Sequence, residues 1–130
     1  MPGVDQAGAI ESTAQTCSLE SQAVNAARQG IKLRRQRAKL FGVGLFAEPG
    51  WDILLELYVA RADDYEVTVG NACIAASVPM SSALRWCQML EDRGIVHRYH
   101  DTADRRRRFL KLSDCAYEKM NRLMVRFVDQ

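Results

Sequence analysis

The chain lacks the usual equipment of an enzyme. Its 130 residues contain no Gly-rich phosphate loop, no nucleophile elbow and no paired carboxylates in an apolar setting, so the common hydrolytic and phosphoryl-transfer constellations are excluded and no catalytic residue is expected. The four cysteines, Cys17, Cys73, Cys87 and Cys115, make no C-x-x-C pair and have no His at zinc-ligand spacing. They read as small buried thiols in a reducing compartment. His97 and His100 would share a face of a short strand, but without carboxylate or thiolate support they read as exposed histidines. No metal and no cofactor is expected.

Long apolar runs are also missing. None approaches the roughly 18 residues that span a bilayer, and the polar start MPGVDQAGAIESTAQT lacks the charged-then-apolar plan of a signal peptide. The expected location is the cytoplasm, with no membrane partner. Charge of one sign is scarce as well: Lys+Arg 18 against Asp+Glu 16 leaves a net charge of +2. General basicity therefore argues for no polyanion, and any such case rests on where the charge sits.

What is present is a 48% hydrophobic sequence, enough to bury one core. Residues 1–16 show no apolar period and read as a mobile tail. Residues 17–47 hold an Ala-, Gln- and Arg-rich helix over about 18–39, followed by the glycine-loosened break FGVGLFAEPG. In its basic stretch, Arg34, Arg35 and Arg37 suit either phosphate contacts or a solvated face. Pro49 suits the first turn of the next helix, where Trp51, Leu54, Leu55, Tyr58 and Val59 recur at helical spacing as a core stripe. The β-prone Glu66-Val67-Thr68 precedes a two-turn Ala-rich helix that Thr68 can cap, and Val78-Pro79 stops that helix.

A further helix follows over SSALRWCQMLEDRG, with Ser81 or a neighbour as cap and Gly94 as its end. Met80, Ala83, Leu84, Cys87 and Leu90 cluster on one side; Ser81, Arg85, Gln88 and Asp92 are centred on the other, with Ser82 beside them. Those polar groups suit base edges and phosphates: Arg for guanine, Gln for adenine, Ser for either. Next come two alternating runs, IVHRY and RFLKL, separated by a charged turn, which predicts a hairpin. Its tip carries four arginines, of which Asp101 and Asp104 offset two. Asp104 is placed to cap the turn and hold an arginine. Residues 114–130 return to helical period.

Short helix, Pro-containing turn, polar-faced helix and arginine-tipped hairpin are the order of a winged helix-turn-helix. The residues resemble the MarR-type winged-helix transcriptional regulators. The wing pattern D-R-R-x-x-x-L-x-L-[ST] stands here as Asp104-Arg105-Arg106, Leu110, Leu112 and Ser113. The recognition-helix pattern stands as Ser81-Ser82, Arg85, Leu90 and Gly94. The glycine that usually follows the family's wing is absent, and one helix rather than two follows it.

The resemblance implies a mainly α fold with a small β-hairpin wing, a winged helix-turn-helix over 48–113, and dimerisation helices at 17–47 and 114–130. It also implies a homodimer on double-stranded DNA that regulates transcription, with Ser81, Ser82, Arg85 and Gln88 in the major groove and Arg105, Arg106 and Arg107 in the flanking minor groove. Arg108, leading into the strand, is read as solvated. The alternative use of such a fold is a protein-interaction module without its own DNA specificity.

Overall fold

The computed structural model describes residues 2–128, with side chains from Leu19 onward. Five helices and three strands follow in the order α1 (Pro2–Phe41), α2 (Pro49–Ala62), β1 (Val67–Thr68), α3 (Val69–Ala75), α4 (Met80–Asp92), β2 (Val96–His100), β3 (Arg108–Leu112) and α5 (Asp114–Val128). The strands form one antiparallel sheet in the order β1-β3-β2. Among the described residues no helix is long and apolar enough to cross a membrane.

The helix α1 begins at Pro2, where the composition predicts an irregular tail. Its Ala, Gln and Glu residues are good helix formers, so the backbone continues the helix without an apolar face of its own. Cys17 lies outside the residues whose side chains are described.

The core is organised around α2, which touches α1, α3, α4 and β3. The expected stripe describes only part of it: Leu55, Tyr58 and Val59 are buried, Trp51 and Leu54 are half-buried, and Ile53 and Leu57 on the other side are buried as well. A helix surrounded by partners is apolar nearly all round, which single-face periodicity understates. The Tyr58 hydroxyl donates to Asn121 Oδ1 at 2.6 Å and so ties α2 to α5.

The arginines of α1 form a clasp on α2. Arg34 pairs with Asp52 and stands 3.6 Å from Glu48, Arg35 lies 3.9 Å from Glu56, and Arg28 pairs with Asp63. Arg37 donates to the Phe46 carbonyl at 2.8 Å and lies over its ring. The expectation of phosphate contact or a solvated face is therefore corrected for Arg34 and Arg37, whose partners are acids and a carbonyl of α2 and the loop before it, whereas Arg35 remains on a solvated face.

Thr68 ends β1 and caps α3, its Oγ1 accepting from the Asn71 amide at 3.1 Å. Because one residue closes the sheet and starts the helix, Thr68→Ala should lower stability by about 1 kcal/mol, read as a urea midpoint shift at unchanged slope. A variant as stable as the parent would contradict that role.

Candidate nucleic-acid interface

Helices α3 and α4 are joined by the tight turn Ala76–Pro79, in which Ser77 takes a left-handed φ of 56°. Pro79 occupies the N-cap position of α4 with no side-chain cap bond, so the expected capping by Ser81 is corrected. Released from that task, Ser81 is exposed on the helix surface. At the other end Gly94, at φ 70°, turns the chain out of α4 into β2, a conformation glycine adopts without a Cβ penalty.

The inward side of α4 is narrower than its periodicity suggests. Ala83, Cys87 and Leu90 are buried, but Met80 and Leu84 are exposed. Trp86, at the margin, packs its ring against Gly50, where an added Cβ would lie 3.2 Å from the indole. Cys73 and Cys87 meet across the α3–α4 interface with their sulfurs 4.0 Å apart. Burial and the neighbouring Cys73 push the Cys87 thiol up to about 12. Both are buried packing groups, whereas Cys115 is exposed.

On the outward side Ser81, Arg85 and Gln88 are exposed and Ser82 is half-buried. The Arg85 guanidinium has no partner among the described residues. Gln88 is held by its neighbour one turn on, its Nε2 donating to Asp92 Oδ1 at 2.9 Å. The structure thus brings these four sequence-predicted residues to one helix and leaves Arg85 the freest of them.

The wing is paired from root to tip, with Val96 opposite Leu112 and His100 opposite Arg108. Its tip is a built loop. The Asp101 amide donates to the Arg107 carbonyl and the Arg107 amide to the Asp104 carbonyl, both at 3.0 Å. Asp101 Oδ1 accepts from the Ala103 amide, and Asp104 Oδ1 from the Arg106 amide at 3.0 Å, the turn-capping role expected of Asp104. Asp104 also lies 3.4 Å from Arg106 Nε.

His100 closes the tip, a role that periodicity does not reveal: its Nδ1 lies 3.0 Å from the Arg105 carbonyl. A carbonyl only accepts, so Nδ1 carries the hydrogen. His97 and His100, three positions apart on β2, point to opposite faces, which corrects the expected shared face.

The arginines of the tip are not equivalent. Arg106 is paired with Asp104, Arg107 lies over the Phe109 ring at 5.6 Å, and Arg105 and Arg108 are exposed without a side-chain partner among the described residues. The tip therefore exposes three guanidinium groups without an acidic partner among the described residues, Arg105, Arg107 and Arg108, and α4 exposes another at Arg85.

No protein-family model and no curated protein matches the chain at a significant level. Solved structures do. A MepR mutant from a multidrug-resistant S. aureus clinical isolate is 22% identical with a TM-score of 0.50. That match takes in 68% of this chain and 60% of the other, so the chain spans about three fifths of the length of that structure. The S. aureus MepR–DNA complex is 20% identical with a TM-score of 0.52 over 80% of this chain and 79% of the other. AF1382 from Archaeoglobus fulgidus is 20% identical with a TM-score of 0.52 over 72% of this chain and 93% of the other. The likeness is one of fold: mainly helical with a small antiparallel wing, the winged helix that the sequence predicts.

Proposed function

We propose, from the winged-helix fold shared with MepR and AF1382, that the chain is a transcriptional regulator that binds duplex DNA as a homodimer and acts in the cytoplasm without catalytic activity. The observation that carries the reading is an exposed, partner-free Arg85 on α4 followed in the chain by a built wing tip that exposes Arg105. Ser81, Ser82, Arg85 and Gln88 enter the major groove, where Arg reads guanine bidentately and Met80 and Leu84 offer apolar contact to thymine methyls. Arg105, Arg106 and Arg107 reach the flanking minor groove, whose negative potential rewards an inserted guanidinium. Solution of a MepR–DNA complex with the same fold supports the choice of partner.

Homodimerisation is supported by an apolar groove of about 850 Å³ between α1 and α5, lined by Leu33, Leu40, Phe41, Leu123 and Phe127 among others. Leu40 is 79% and Phe127 66% exposed. These side chains are large, apolar and exposed on both terminal helices, and a second copy would bring the same face to cover them. Sedimentation should show a dimer at micromolar concentration, and Leu40→Glu with Phe127→Glu should shift it to monomer. A monomeric parent would contradict the assignment.

The function is tested by selecting bound sequences from a random duplex pool. The expected product is an inverted repeat whose half-sites lie about one helical turn apart, 34–36 Å between centres. Recovery of unenriched sequence would overturn the claim of specificity.

A further inference from the structure

Besides the backbone turn at Gly94, one charged contact joins α4 to the wing. Arg98, in the middle of β2 and opposite Leu110, donates from Nε to Glu91 Oε2 at 3.1 Å. Glu91 belongs to the last turn of α4, and the two side chains are 22% and 35% exposed. An ion pair this open to water contributes little to stability. It does fix a relation: the end of the helix that presents Arg85 is fastened to the middle of the hairpin that presents Arg105, and both strands carry any tilt there out to the tip.

We propose that the Glu91–Arg98 pair is a positioning device that sets the angle between wing and recognition helix, so that Arg85 and Arg105 reach adjacent grooves of one duplex together. This rests on the DNA-binding reading above. Phosphate and groove contacts need their partners closely placed, and although β3 also packs on β1, α2, α3 and α5, the hairpin has no second side-chain polar tie to α4 among the described residues. Loss of the pair frees the wing while leaving the base-reading face of α4 intact.

The experiment uses the full chain and a duplex recovered from the random pool, with affinity measured between about 50 and 200 mM salt. Glu91→Gln keeps the shape of the side chain and removes the charge. It is expected to weaken binding threefold to tenfold and to lower the salt slope by about 0.9, the share of one phosphate contact. The preference at base pairs read by Arg85 stays as in the parent, and the melting temperature moves little.

The slope is the decisive readout, because partial unfolding changes the active fraction and not the slope. Exchange of the pair, Glu91→Arg with Arg98→Glu, should restore it. A parent-like slope in Glu91→Gln, or an exchange that restores nothing, overturns the proposal while leaving DNA binding intact. Failure of the parent itself to bind the duplex at low salt would instead overturn the DNA-binding reading.

Discussion

Arg34→Ala is expected to destabilise the fold by about 3–5 kcal/mol, the range for removing one partner of a buried ion pair. The Arg34 and Asp52 side chains are only 17% and 10% exposed. Burial pushes the Asp52 carboxyl above its ordinary value of 3.8, and Arg34 holds it back by hydrogen bond and by charge. Without Arg34 only the backbone hydrogen bond at Glu48 still opposes burial, and the folded-state value rises further.

A carboxyl raised in the folded state binds its proton more tightly there than in the unfolded chain. Ionised Asp52 therefore opposes folding at neutral pH, and the opposition is relieved as pH falls through the raised folded-state value. The gap between parent and Arg34→Ala should be widest near pH 7 and narrow as the pH is lowered toward the ordinary carboxylate range. Urea unfolding at several pH values measures it. A loss under about 1 kcal/mol, or a gap that does not change with pH, would show that the clasp on α2 is not a buried pair in solution.

Arg85→Ala and Arg105→Ala should fail in different ways. Arg85 stands without a partner among the described residues on the outward side of α4, so under the proposed DNA binding its loss should relax preference at one base pair by about 1–3 kcal/mol. Arg105→Ala should weaken binding to every duplex and lower the salt slope by about 0.9. Arg106→Ala should have the smaller effect of the two wing changes, since Asp104 lies 3.4 Å from its guanidinium and already competes for it. Binding isotherms on matched and single-substituted duplexes separate the cases. Equal, sequence-independent losses from Arg85→Ala and Arg105→Ala would refute the division of labour.

The wing is legible in the sequence because its information is local. The runs IVHRY and RFLKL mark the strands, and aspartates two residues before the amides that donate to them set the turn, so Asp104 can be assigned from spacing alone. The Thr68 cap is legible for the same reason.

The clasp between α1 and α2 is not local. Arg34, Arg35 and Arg37 on an Ala-rich helix look alike in sequence whether they face water, phosphate or the acids Asp52 and Glu56 of another helix. The all-round burial of α2 depends on partners scattered along the chain, and the Ser81 cap fails because Pro79 already holds the cap position. At the site itself the sequence groups the four α4 residues and the arginine run. It sets Arg108 apart but does not rank Arg105, Arg106 and Arg107, because that ranking comes from a ring at Phe109, a carboxylate at Asp104 and a histidine at the end of β2.

The central claim is that the surface carrying Arg85 and Arg105 binds duplex DNA. The most direct test measures affinity of the full chain for a random-sequence duplex as salt is raised. The account predicts binding at low salt and a steep linear loss, about 0.9 log units of affinity per log unit of salt for each phosphate contacted. Absence of binding at about 50 mM salt, or an affinity indifferent to salt, would contradict it.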